Sequence, residues 1–151
     1  MTRTALIAGV SGIVGNNLAR HLVSEGWSVA GLARRPPADL AGVTPVAADL
    51  LDPESLRGAL AEVRPTDVFI TTWLRQETEA ENIRVNGTMV RNLLDALRPN
   101  GGVAHVGLVT GLKHYLGPFE AYGRGNGTML PTSYSTRGMT AKEREAQEAE
   151  K

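Results

Sequence analysis

The stretch ALIAGVSGIVGNNLARHL, residues 5–22, constrains the fold more than any other part of the chain. A short apolar run from Thr4 to Ala8 stops at Gly9, and from Ile13 onward Val14, Leu18 and Leu22 recur at helical spacing until Glu25-Gly26, where glycine is a natural C-terminal cap. An apolar run without polar alternation fits a strand buried on both faces, as in a parallel sheet. The local order is therefore strand, glycine turn, helix.

The same alternation continues. Trp27 to Ala33 reads as a second strand and Val43 to Ala48 as a third, with Pro45 tolerable only near an end or edge. Asp52 is placed to cap a helix that Pro53 opens, and Leu56, Leu60 and Val63 form its inner stripe. Asp67 to Thr72 is a fourth strand, followed by a helix from about Glu77 to Leu97 whose core face is expected at Ile83, Val90, Leu94 and Leu97. Pro99-Asn100-Gly101-Gly102 ends that helix, and Val103 to Val109 is a fifth strand. Strands alternating with helices imply parallel crossovers, so the expected architecture is an α/β Rossmann-type doubly wound sheet in the order 3-2-1-4-5.

In that frame the turn Gly9-Val10-Ser11-Gly12-Ile13-Val14-Gly15 has a physical reading. The first glycine takes a positive φ, the second leaves room where a pyrophosphate meets the helix N-terminus, and the third lets helix and strand approach. Gly9, Ser11, Gly12, Ile13 and Gly15 are accordingly candidate cofactor-binding residues. The end of the second strand bears on which dinucleotide is bound. An NAD site places an acid there for the ribose 2′-hydroxyl, whereas Leu32-Ala33-Arg34-Arg35 has none and offers two arginines to a 2′-phosphate. NADP(H) is the expected cofactor, with Arg34 and Arg35 as its selectors. Asp49 and Leu50, closing the third strand, fall near the adenine edge, although Asp49 could equally cap its own loop.

Composition excludes several classes. The 151 residues fit one domain, and Lys plus Arg (16) balances Asp plus Glu (16), so no net field favours nucleic acid or an anionic membrane. Cysteine is absent and His21, His105 and His114 lack ligand spacing, so no metal site is expected. No apolar run approaches the roughly 20 residues of a membrane span, and the N-terminus does not read as a signal peptide. A cytoplasmic location follows. The composition changes at the end: residues 120–151 contain no Val, Ile, Phe or Trp and end in TAKEREAQEAEK. We therefore expect a nucleotide-binding domain over residues 1–119 and a poorly packed glycine-rich and charged tail over 120–151.

With these residues placed, the chain resembles the extended short-chain dehydrogenase/reductase superfamily, and within it the progesterone 5β-reductase and iridoid synthase-like enone reductases. The resemblance rests on Gly9 to Gly15, on TDVFITTW (66–73), on ENIRVNGTMVRNLLDAL (81–97) and above all on TGLKHYLGPFEAYG (110–123). It implies an NADPH-dependent reductase of a small carbonyl or enone, with Lys113 catalytic. An ammonium there would favour a tyrosinate and stabilise negative charge on a carbonyl oxygen. It also implies that Asn86 supports the active site and that Thr72 and Trp73 line the cofactor channel, although Trp73 could equally anchor packing.

The match ends at about Arg124. Members of this group carry a catalytic tyrosine in a later aromatic segment, and after Tyr115 this chain has only Tyr122 and Tyr134, in different surroundings. The resemblance thus implies a reductase impaired by loss of that segment, against an alternative in which the fold survives as a non-catalytic NADP-binding module. An exposed apolar patch near the fifth strand, favouring a homo-oligomer or partner, is also expected.

Overall fold

A computed structural model describes residues 3–110. The elements run β1 (Thr4–Ala8), α1 (Ile13–Ser24), β2 (Ser28–Ala33), β3 (Val43–Ala47), α2 (Pro53–Leu60), β4 (Asp67–Ile70), α3 (Glu79–Leu97), a single 3-10 turn (Arg98–Asn100) and β5 (His105–Leu108). All pairings are parallel, and the five strands lie in the order β3-β2-β1-β4-β5, as the alternation of strand and helix implies. The tail expected over 120–151, and the residues of the Lys113 motif, lie outside the described residues.

Strand β1 shows why the sheet is covered twice. Ala5 and Ile7 point into one apolar cluster with Ala19 and Leu22 of α1, while Leu6 and Ala8 join another with Leu56 and Leu60 of α2 and Met89 and Leu93 of α3. A side chain on either face of the central strand is thus lost to solvent, and only an uninterrupted apolar run can occupy it. The chain winds to one side of β1 through β2 and β3, then crosses back to β4 on its other side. That reversal opens a crevice beyond the carboxyl ends of β1 and β4.

Local chemistry sets the helix boundaries. Asp52 accepts from the N–H groups of Glu54 and Ser55 at 3.0 and 3.1 Å, with Pro53 in the first turn of α2, as expected. Helix α3 begins two residues later than Glu77, because Thr78 caps it by accepting from Glu81 N at 3.3 Å, and Glu81 lies within 3.2 Å of the Thr78 hydroxyl.

Two apolar faces differ from expectation. Helix α3 buries Val85, Met89, Leu93, Ala96 and Leu97, the last as expected, and partly buries Val90, but leaves Ile83 68% exposed and Leu94 on the outer flank. Its sequence carries two overlapping stripes, and Asn86 and Asn92, which bond to loops beneath the helix, turn the first one inward. Helix α1 buries Gly15, Ala19 and Leu22 while Val14 faces outward, since small residues allow its closest approach to the sheet. Val106, Leu108 and Val109 of the β5 region are exposed, where an apolar surface was expected.

At the end of the sheet opposite the crevice, Asp67 is buried at the start of β4. Arg3 Nη2 donates to its Oδ1 at 2.7 Å and the Thr66 hydroxyl to its Oδ2 at 2.7 Å. The Arg3 guanidinium also lies 4.0 Å from the centre of the Trp27 ring. Burial raises the Asp67 pKa, but the Thr66 hydroxyl, Arg3 and nearby His105 together outweigh it and hold the carboxyl below its ordinary value.

Candidate functional site

The site grows from the turn after β1. Gly9 has φ +93°, a left-handed conformation that side chains rarely adopt, and its N–H donates to Leu32 O at 2.8 Å, tying the turn to the end of β2. A Cβ on Gly15 would strike the Gly9 carbonyl and come within 2.8 Å of Thr71 Oγ1. The first turn of α1 can therefore rest directly on the turn backbone. Gly12 caps α1 in extended conformation without a side-chain hydrogen bond, and the first turn holds no acid. The first N–H groups of the helix are left unmatched within it, with the positive end of its dipole.

Beyond these N–H groups lies a cleft of about 260 Å³ at the carboxyl ends of the strands. Gly9, Ser11 and Gly12 form its floor, Arg34 and the loop Ala48–Leu51 one wall, and Thr71–Leu74 the other, with Met89 of α3 at the back. Ser11, Arg34 and Arg35 line an adjoining recess. Both arginines are exposed, and neither is paired with a carboxylate among the described residues.

Of the residues singled out in the sequence, Gly9, Ser11, Gly12, Arg34, Asp49, Leu50, Thr72 and Trp73 face the cleft, and Arg35 borders its recess. Gly15 is buried behind the turn, and Ile13 is 85% exposed, outside the lining. Asp49 accepts from Leu51 N at 2.9 Å, so it caps its loop while facing the cleft. Trp73 is exposed at the mouth. Asn86 stands behind the wall: its Oδ1 accepts from Leu74 N at 2.8 Å and its Nδ2 donates to Leu74 O at 2.9 Å. Asn82 adds a bond from Gln76 N. Lys113 lies outside the described residues.

Sequence reasoning passed over Leu32, Ala33, Ala48, Leu51, Thr71, Leu74 and Met89, all of which line the cleft. Leu32, Ala33, Ala48 and Thr71 lie at strand ends, where their role depends on where the sheet stops. Thr72 Oγ1 is buried without a hydrogen-bond partner in the cleft wall. Chemically, the arrangement offers an anion uncapped N–H groups and two guanidinium groups unpaired among the described residues, and offers a flat ring a slot between the two loops.

The architecture is that of a Rossmann-type doubly wound sheet, with its crevice at the topological switch point. The chain belongs to the NAD dependent epimerase/dehydratase family, whose model matches residues 5–144, further than the narrower resemblance expected to end at about Arg124. It is 45% identical over 130 residues to an (S)-8-oxocitronellyl enol synthase of Camptotheca acuminata, covering 80% of this chain and 33% of that protein. It is 44% identical over 125 residues to the 3-oxo-Delta(4,5)-steroid 5-beta-reductase of Arabidopsis thaliana, covering 76% and 32% respectively. These similarities bear out the resemblance carried by the sequence motifs. The chain spans about a third of the length of these curated relatives. Among solved structures it is similar to the UDP-glucose 4-epimerase of Thermus thermophilus in complex with NAD, at 26% identity and a TM-score of 0.66, covering 85% of this chain and 44% of that one.

Proposed function

We propose that this chain binds NADP(H) and acts in an oxidoreductase that reduces a carbonyl or activated alkene of a small molecule. The bound nicotinamide nucleotide would supply the hydride. The glycine cradle supports the fit: α1 meets the cleft with uncapped N–H groups, and Gly12 puts no side chain in front of them, as a pyrophosphate requires. Thr72, with its unpartnered hydroxyl, gives the Thr71–Leu74 wall a polar group that a ribose or phosphate oxygen would satisfy.

The observation that carries the choice of NADP over NAD is the recess formed by Ser11, Arg34 and Arg35. Two guanidinium groups, unpaired among the described residues, suit a 2′-phosphate, and the end of β2 has no carboxylate to accept from a 2′-hydroxyl. Asp49 and Leu50 would border the adenine, and Trp73 the cleft mouth. Asn86 would hold the Thr72–Leu74 wall in place. Lys113 is assigned the catalytic role on the strength of the TGLKHY motif: its ammonium would stabilise charge developing on a substrate oxygen.

An oxo or enone substrate is supported by the names of the relatives, an 8-oxocitronellyl enol synthase and a 3-oxo-steroid 5-beta-reductase. Among the described residues no helix is long and apolar enough to cross a membrane. A cytoplasmic location is part of the proposal. Self-association through the exposed apolar side chains of β5 completes the proposal. The experiment is a titration with NADPH and NADH followed by steady-state NADPH oxidation across small enones. Tighter NADPH binding, and turnover that Lys113→Met abolishes, are expected. Equal affinities defeat the cofactor assignment, and unchanged turnover in the variant removes Lys113 from the chemistry.

A further inference from the structure

Both walls of the cleft hang on one helix. Asn86 grips the backbone of Leu74, and less than two turns further along α3 the Nδ2 of Asn92 donates to Leu50 O at 2.9 Å. Met89, between the two asparagines, lines the cleft itself. The other hydrogen bonds of the Leu50 loop are mainly its own: Leu51 N donates to Asp49 Oδ1, Asp52 N donates to Asp49 O, and Ala48 N reaches Ala33 O of β2. Asn92 is the side chain whose hydrogen bond fastens this loop to α3, where Leu50 also packs in one apolar cluster with Met89 and Leu93. Leu50 is buried, so its carbonyl would lose a partner that solvent replaces poorly.

We propose that Asn92 is a positioning residue for the adenosine end of the nucleotide. By fixing the Leu50 carbonyl it sets where Asp49, Leu50 and Leu51 stand, while Asn86 sets the facing wall, so that α3 acts as a rigid spacer between them. This inference rests on the nucleotide reading above. A residue with only a structural role would lower stability without selective loss of affinity, and the molecule contains a matched control. Asn100 Nδ2 donates to Leu60 O at 2.7 Å and Val63 O at 3.0 Å, the same chemistry away from the cleft.

The test is calorimetric titration of the 151-residue chain, and of its Asn92→Ala and Asn100→Ala variants, with adenosine 2′,5′-bisphosphate, alongside hydrogen exchange of the backbone. Asn92→Ala should weaken the bisphosphate roughly three- to tenfold, the scale of one lost hydrogen bond, and speed exchange of the Leu50–Asp52 amides. Asn100→Ala should leave the affinity within about twofold while lowering the melting temperature. Unchanged affinity in Asn92→Ala, equal losses in both variants, or unchanged exchange in the Leu50 loop would overturn the inference alone. A wild-type chain that does not bind the bisphosphate would overturn the nucleotide reading, and this inference with it.

Discussion

Gly15 rests against the carbonyl group of Gly9, so closely that a methyl group at residue 15 has no room. The obstacles are the Gly9 carbonyl and the Thr71 hydroxyl, which itself donates to Ala8 O at 2.8 Å, so neither can yield cheaply. Gly15→Ala should therefore destabilise the chain by on the order of 1–3 kcal/mol, the usual cost of overpacking. Gly87→Ala is the counterpart: nothing lies within 4 Å of that position in α3. It should stabilise by about 0.4–1 kcal/mol. Denaturant unfolding of both variants measures the difference, and a neutral Gly15→Ala would mean that α1 does not approach the turn as described.

The buried face of α3 is open to a similar comparison. Leu93 is fully buried and Ile83 is 68% exposed, although both are large aliphatic residues of one helix. Leu93→Ala should cost about 2–5 kcal/mol, as core truncations do. Ile83→Ala should fall within about 0.5 kcal/mol of the parent, as exposed substitutions do. Similar losses in unfolding free energy would show that the helix is rotated from the face seen here.

That helix also shows how far the sequence could be read. Strand order followed from alternation alone, and the Asp52-Pro53 start of α2 was legible because a cap acts through neighbouring residues. The face of α3 was not legible, because Ile83 and Val85 head two stripes that periodicity weighs alike. Only the loops that Asn86 and Asn92 reach, distant in sequence, decide between them. Thr78 and Glu81 did carry the signal for the helix start, a capping pair three residues apart. In the cleft the turn glycines and arginines were recognisable because their chemistry is unusual. Leu32, Ala48 and Met89 look like any other core residue until the sheet places them.

The arginines at the end of β2 should act as a charge pair with measurable consequences. Replacing Arg34 and Arg35 together by alanine should weaken NADPH binding by about tenfold or more, since each charge-assisted contact to a phosphate is worth roughly 1.5–3 kcal/mol. NADH binding should change little. The NADPH affinity of the parent should also fall as salt is added, because both groups are exposed and screened. Titrations of both nucleotides at low and high ionic strength measure these effects, and parallel losses for NADPH and NADH would argue against a 2′-phosphate contact.

Asp67 should give the fold an acid-sensitive lock. Its folded-state pKa lies below the ordinary value because hydrogen bonds from Thr66 and Arg3, with nearby His105, outweigh the opposing effect of burial. A carboxyl depressed on folding stabilises the native state fully above its unfolded pKa, about 4, and that contribution disappears as pH falls toward the folded value. The lock joins Arg3, just before β1, to the start of β4, and Asp67 pairs in register with Ala5 and His105. Its loss should therefore loosen the central strands together. Melting temperature measured from pH 7 to pH 3 should fall in the parent chain most steeply below about pH 4. Asp67→Asn keeps the shape but cannot ionise, so it should melt lower than the parent at pH 7, and the gap should narrow as pH falls below about 4. An acid limb of the same slope in both proteins would place the titrating group elsewhere.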